Sequence, residues 1–163
     1  MKKIVMMLLV LASMSVKVNA QWFVGGTGGV GYFGDHFGLE VAPMAGYEFN
    51  DRWAVGLGVG AGFGCHNGDS WGYGIINPYG RFNCWNNEKL FIDVKGMVDA
   101  RIRDNGGSVT SVGFVPSLRF AINEKWQMSA DLGLVGVQIG NDDVDPVFGF
   151  TGTSVGLSVI YKF

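Results

Sequence analysis

The segment 90–103 alternates between apolar and charged or polar side chains, and this period of two limits the fold more than any other feature of the sequence. Successive side chains of a β-strand point to opposite faces, so the alternation predicts a strand with one apolar face. The same pattern continues along most of the chain, and in every predicted strand the apolar face carries no charge. The sequence therefore predicts an all-β protein whose sheet separates two environments.

Three similar segments, at 43–53, 78–90 and 116–126, set the strand count. Each begins with Pro, continues as a strand, passes through Asn and an acid–base pair, and restarts on Trp or Leu, which is typical of a tight hairpin turn. Segments containing Gly and Asp separate these hairpins and predict longer loops at 34–37, 66–71, 104–108 and 141–146. We predict eight strands, at 22–33, 38–50, 53–65, 73–85, 90–103, 109–123, 126–140 and 147–163.

Proline and cysteine positions give two further expectations. Pro43, Pro78 and Pro116 occur at matching places inside predicted strands, where proline cannot donate a ladder hydrogen bond, so their recurrence predicts a repeated β-bulge. Cys65 and Cys84 fall at opposite ends of one predicted hairpin. A disulfide needs Cα atoms within about 7 Å, so we expect no bond between these two residues.

Eight strands with short turns at one end predict an up-and-down barrel, but alternation alone does not say which face is inside. A soluble barrel turns its apolar face inward, whereas a membrane barrel turns it outward. The polar face of the third strand carries only small residues, which suit a crowded interior: Ala54, Gly56, Gly58, Gly60, Gly62 and Gly64. Aromatic residues gather at the short-turn end, as in an interfacial girdle: Trp22, Tyr47, Phe49, Trp53, Phe82, Phe120, Trp126, Tyr161 and Phe163. We therefore predict an all-β, eight-stranded antiparallel up-and-down transmembrane β-barrel over 21–163.

Nine charged residues of the inward face are the candidate functional site. They are Glu40, Glu48, Arg81, Asp93, Lys95, Asp99, Arg101, Arg119 and Asp131. An eight-stranded interior is just wide enough to be filled by side chains, and opposite charges there can offset each other's desolvation. We expect a packed plug that closes the barrel. The alternative is a gate whose ion pairs exchange to open a narrow ion path. We expect no metal and no cofactor.

The N-terminus resembles an export signal. Lys2 and Lys3 precede an apolar run at 4–12, and a small residue, Ala20, ends the segment, which predicts a cleaved secretory signal peptide over 1–20. The run is too short to span a bilayer as a helix. Removing Lys2, Lys3 and Lys17 from the 12 basic residues leaves 9 against 14 acidic ones, a net charge of −5. This balance gives no support for binding nucleic acid.

The last eleven residues carry an apolar side chain at every second position and end on an aromatic residue. These positions are Val155, Leu157, Val159, Tyr161 and Phe163. With the strand pattern over 21–163, this ending resembles the small eight-stranded outer-membrane barrels of Gram-negative bacteria, namely the outer-membrane protein A type barrel domain and its relatives. The resemblance implies a place in the outer membrane, contact with its lipids, and insertion by the barrel-assembly machinery, which recognises that ending. Such proteins often carry a peptidoglycan-binding domain after the barrel, and we expect none here.

Catalysis and calcium binding are weaker alternatives. Some small barrels of this kind modify lipid A, but a deacylase needs Ser with a His base in reach, and His36 and His66 are predicted in loops with no Ser at strand spacing. We therefore expect no enzyme. The loop at 141–145 has carboxylates for Ca²⁺ but lacks the spacing of a calcium loop. We expect a structural or surface-interaction role with an unidentified external partner. A narrow pore is the alternative, and a secreted soluble ligand-binding barrel is a further one.

Overall fold

The alternating segments form one closed, all-β sheet. A computed structural model describes residues 20–33, 36–66, 69–104, 107–140, 144–149 and 156–163. The strands are β1 (Gln21–Phe33), β2 (His36–Glu48), β3 (Trp53–His66), β4 (Asp69–Asn86), β5 (Leu90–Arg103), β6 (Ser108–Ala121), β7 (Trp126–Asp131), β8 (Leu134–Ile139), β9 (Val144–Gly149) and β10 (Gly156–Lys162).

These ten strands make an eight-stranded antiparallel up-and-down barrel, as predicted. Neighbours in sequence pair from β1 through to β6, and the pairing of β1 with β10 continues the sheet around the cylinder. β7 and β8 lie end to end along β6 and together form the seventh wall. β10 pairs with β7, and β9 pairs with β8, so β9 and β10 together form the eighth wall.

The seventh wall is interrupted, which the sequence did not predict. Leu132 and Gly133 separate β7 from β8, and Gly133 has φ of 120°, a conformation that favours glycine. Along β6 the register shifts by one residue between the β7 and β8 ladders. The N–H of Leu132 donates to the carbonyl of Pro116 at 2.8 Å, so the bulge lies opposite that proline.

The predicted repeated bulge is wrong at the other two prolines. The β2–β3 ladder passes over Ala42 and Pro43 and resumes in the same register, and the β4–β5 ladder does the same at Asn77 and Pro78. Each proline lacks an N–H, so a ladder hydrogen bond is lost, but no extra residue enters either strand. Only Pro116 lies beside a register shift.

The predicted difference in length between loops and turns is also wrong. One end of the barrel, called the turn end here, has the connections 49–52, 87–89 and 122–125. The opposite loop end has 34–35, 67–68, 104–107 and 140–143 between its strands, so connections at both ends contain two to four residues. Gly and Asp were interpreted as loop signals, yet the strand ladders continue through many of them. His36 and His66, predicted in loops, are end residues of β2 and β3.

The turn end is shaped by asparagine side chains, as its sequence repeat predicts. The Oδ1 of Asn50 accepts hydrogen bonds from the backbone N–H groups of Arg52 and Trp53, both at 2.9 Å. Asn123 does the same for the residues two and three positions after it, at 2.9 and 2.8 Å. These contacts fold the chain back locally and give the two turns matching structures.

The barrel has an apolar outside. Among the described strand residues with assigned burial, the outward face carries no charge, and large apolar side chains such as Val59 and Leu157 are 51% and 63% exposed. Aromatic rings contact one another at the turn end: Trp22 with Tyr47, Tyr47 with Phe49, Trp53 with Phe82, Trp126 with Tyr161, and Tyr161 with Phe163. In the part of the chain described, no helix is long and apolar enough to cross a membrane. Cys65 and Cys84 are free thiols, which confirms the expectation of no disulfide.

Candidate functional site: the charged lumen

All nine predicted site residues lie on the inward face of the barrel. No side chain of the nine is more than 16% exposed. The nine are Glu40, Glu48, Arg81, Asp93, Lys95, Asp99, Arg101, Arg119 and Asp131. Lys162, which the alternation also places on this face, joins them with a side chain 12% exposed. These ten side chains, five acidic and five basic, each form at least one ion pair.

Glu48 is the centre of an ion cluster near the turn end. Its Oε1 accepts a hydrogen bond from Arg81 and lies 4.0 Å from a terminal nitrogen of Arg119. Its other oxygen, Oε2, lies 2.6 Å from the Nζ of Lys162. These partners come from β4, β6 and β10, whereas Glu48 belongs to β2. One carboxylate therefore connects four walls of the barrel.

Asp93 is the second carboxylate of this cluster, and no part of it is exposed to solvent. Arg119 donates to both of its oxygens, at 2.8 and 3.3 Å, and Asn83 donates to Oδ1 at 2.7 Å. Arg81 approaches Oδ2 at 3.9 Å. Arg119 also donates to the side-chain oxygen of Gln127 at 2.8 Å. Asp93 is thus held by charge-assisted hydrogen bonds, the stronger kind in proteins.

A second layer lies in the middle of the lumen. The Nζ of Lys95 donates to Asp131 at 2.6 Å. Beside this pair, Val115 and Leu134 are buried together, and Met97 packs against them. Leu134 is the first residue of β8, so the bulge at Gly133 places an apolar side chain inside the barrel. An ion pair and an apolar cluster therefore share this layer.

A third layer lies towards the loop end. Arg101 contacts Glu40 at 3.1 Å and donates to Asp99 at 2.9 Å. The hydroxyl of Tyr73 donates to Glu40 at 3.4 Å. Asp99 Oδ1 has no hydrogen-bond partner among the described residues. Opposite charges in this layer are paired, as in the other two.

Aromatic rings of β4 cover the glycine-rich face of β3. Gly56 pairs with Tyr79 and Gly62 with Tyr73, and a Cβ at either glycine would come within 2.5 Å of the ring opposite. The rings in turn face cations of β5, with the Nζ of Lys95 5.8 Å from the Tyr79 centroid and the Cζ of Arg101 5.5 Å from that of Tyr73. The glycines therefore give aromatic rings room to lie inside a narrow cylinder.

Among the described residues, the lumen contains two cavities that are separate from each other. One, of about 80 Å³, lies in the middle and loop-end layers, between Glu40, Lys95, Asp99 and Asp131. The other, of about 160 Å³, lies at the turn end beside Glu48. The two share no lining residue, so buried side chains separate them. Between the two cavities the described lumen is closed by packed side chains, as expected for eight strands.

Several residues of the lumen were missed by sequence reasoning. Asn83, Gln127, Tyr73 and Tyr79 contribute hydrogen bonds or stacked rings, but they are uncharged. Their spacing from charged residues on the same strand gave a signal, since side chains two apart share a face. Asn83 lies two residues after Arg81, so this spacing alone could have assigned it to the lumen.

Other predicted features have the following outcomes. Leu157, Val159 and Phe163 of the predicted assembly signal are exposed on the outer surface, and Tyr161 is half-buried. Val155, residues 141–143 of the possible calcium loop at 141–145, and the predicted signal peptide up to residue 19 lie outside the described residues, whereas Val144 and Asp145 begin β9. Among the described residues no group of three or more His, Cys, Asp or Glu is arranged to hold a metal.

Comparison of the chain with protein-family models and with curated proteins finds no match.

Proposed function

We propose that the chain is an integral β-barrel of the bacterial outer membrane, with a structural or surface-interaction role and a lumen closed by its own side chains. The observation that carries the proposal is the polarity of the barrel. Among the described residues, its outward face exposes large apolar side chains without charges, while the ten ion-paired side chains named above lie inside. Soluble proteins rarely expose continuous apolar surface on this scale, whereas hydrocarbon favours it.

Strand length supports the same proposal. β1, β2, β3, β5 and β6 contain 13 or 14 residues each. A tilted strand needs about 9–11 residues to cross a bilayer, so these strands are long enough to cross and to extend beyond it. The aromatic contacts at the turn end would then lie at one interface, where Trp and Tyr are enriched. Proposed partners are outer-membrane lipids and, during insertion, the barrel-assembly machinery.

The short connections favour a structural role over extensive adhesion. Two to four residues join the strands at the loop end, so a partner there would meet mainly the strand ends. Exposed polar residues at this rim include Asp69, Ser70, Arg103 and Asp104. Such a small area suits a weak or transient contact. We propose no catalytic role.

Cell fractionation and gel mobility test the proposal. The protein is expected in the outer-membrane fraction, with a band that migrates differently before and after heating because the folded barrel resists detergent. Full solubility of the exported chain without detergent would contradict it. That result would instead favour a secreted soluble barrel that binds a ligand.

A narrow pore is the second candidate, because each arginine near Glu48 has two carboxylates in reach. Arg119 lies 2.8 Å from Asp93 and 4.0 Å from Glu48, and Arg81 also contacts both carboxylates. Conductance across planar bilayers that disappears in Lys95→Ala or Arg119→Ala, with folding retained, would support a gate. Wild-type protein that never conducts would exclude it.

A further inference from the structure

The turn-end cavity differs from the rest of the lumen in its charge. Its volume is about 160 Å³, and four of its lining residues are cationic: Arg52, Arg81, Arg119 and Lys162. Only Glu48 and Asp51 among its lining residues are acidic. The mouth of the barrel at this end is therefore lined mainly by positive charge.

Ion pairing inside the cluster leaves part of that charge uncompensated. Three cations, Arg81, Arg119 and Lys162, share two carboxylates, Glu48 and Asp93. These five side chains together carry one net positive charge. Arg52 and Asp51 at the exposed turn add one charge of each sign. The cluster thus differs from the loop-end layer, where Glu40 and Asp99 outnumber Arg101.

A small anion would satisfy this arrangement. A positive charge with low-dielectric walls attracts counter-ions more strongly than the same charge in open water. Each guanidinium offers five N–H donors in a fork that matches an oxyanion, and the hydrogen bond of Arg81 to Glu48 uses only part of its set. The cavity is large enough for several waters or one small oxyanion.

We propose that the turn-end cavity is a binding site for a small oxyanion, a phosphate or carboxylate group, held between Arg52, Arg81 and Lys162. Arg52 at the exposed turn captures the anion at the mouth. Arg81 and Lys162 contact it from inside while they keep Glu48 in place. The site would accept one group from the solution on the turn-end side. This inference goes beyond the proposed structural role and does not depend on the membrane, because the cavity lies inside the barrel in either solvent.

Titration of the full chain, folded in detergent micelles, tests the site. Backbone NMR signals are followed while sodium phosphate or sodium acetate is added, with sodium chloride at equal ionic strength as the reference. Saturable shifts around Arg52, Trp53 and Phe91 with either oxyanion support the site, and the tighter anion identifies the preferred group. Shifts that match those in chloride, or no saturation, would overturn it.

Two turns of matching structure provide the control variant. Arg52 and Lys125 occupy the same position after Asn50 and Asn123, but only Arg52 lines the cavity. Arg52→Gln is expected to weaken oxyanion binding by about tenfold, or 1.4 kcal/mol, whereas Lys125→Gln leaves it unchanged. Equal weakening in both variants would mean that only the general charge of the turn end is sensed, and would overturn the proposal.

Two variants inside the cluster should change affinity in opposite directions. Lys162→Gln brings the cluster to zero net charge and is expected to weaken binding, while Glu48→Gln adds one positive charge and is expected to strengthen it. Heat-dependent gel mobility checks that each variant folds. If either variant does not fold, the comparison of Arg52→Gln with Lys125→Gln at the exposed turns tests the site instead. Equal affinities in folded Lys162→Gln and Glu48→Gln would contradict a charge-selective site.

Discussion

Adding one methyl group at Gly62 tests whether the interior is as crowded as the structure indicates. A Cβ at this position would lie 2.2 Å from Cζ of Tyr73, far inside van der Waals contact. Gly74 pairs with Ala61, which is the next pair of the same ladder. Gly74 faces outward, however, and nothing lies within 4 Å of its added Cβ. Gly62→Ala and Gly74→Ala therefore make the same chemical change on opposite faces of one hairpin.

The Tyr73 ring cannot move aside without cost. Its hydroxyl donates to Glu40 at 3.4 Å, and its ring lies 5.5 Å from the Cζ of Arg101. Overpacking of a filled interior costs about 1–3 kcal/mol, and loss of a hydrogen bond to a charged group adds about 1.5–3 kcal/mol. Replacing Gly by Ala recovers about 0.4–1 kcal/mol through the unfolded chain where the backbone allows it. We expect Gly62→Ala to lose about 2–5 kcal/mol and Gly74→Ala to lose nothing.

The measurement is urea unfolding of the full chain in lipid vesicles, followed by tryptophan fluorescence and by the fraction that keeps the folded gel mobility. Gly62→Ala should unfold at a clearly lower urea concentration than Gly74→Ala. Gly60→Ala should also be destabilised, because its Cβ would lie 2.3 Å from the backbone oxygen of Val41, which cannot rotate away. Equal midpoints for the Gly62 and Gly74 variants would refute the reasoning that aromatic rings fill the lumen.

Three further changes have expected outcomes. Asp93→Ala leaves two buried arginines without one of their carboxylates and should lower the free energy of unfolding by about 3–5 kcal/mol, whereas Asp51→Ala in the exposed turn should stay within about 0.5 kcal/mol; urea titration compares them. Val59→Lys puts a charge on the outer face and should cost about 2–4 kcal/mol in a bilayer, and an unchanged stability in vesicles would argue against lipid contact there. Cys65 and Cys84 should each take up one maleimide in the unfolded chain without reductant, as mass spectrometry would detect, and a mass without added label would indicate a disulfide.

The strands and their faces could be predicted because they depend on local alternation. Side chains two residues apart share a face, so Asp93, Lys95 and Arg101 could be assigned to one side of a wall from sequence alone. The turn positions followed from Asn50 and Asn123, whose side chains fold the backbone within a few residues. These features need no knowledge of distant parts of the chain.

The details that were not predicted depend on pairing between strands. The bulge at Gly133 appears only when β7 and β8 are both aligned with β6. The unbroken register past Pro43 is a property of two strands, not of one proline. Strand ends at the loop end extend further than composition indicates, since hydrogen bonds from a neighbour stabilise Gly-rich segments. The contacts of Glu48 likewise require four walls at once.

The arrangement around Glu48 has a consequence for how the cylinder forms. Its partners belong to β4, β6 and β10, so an incomplete sheet would leave several ions facing water without their counterparts. Each partner adds little until the first and last walls meet, because an exposed ion pair contributes only about 0–1 kcal/mol. Most of the stabilisation from these ion pairs is therefore gained when the barrel closes, and a partly formed sheet gains little of it.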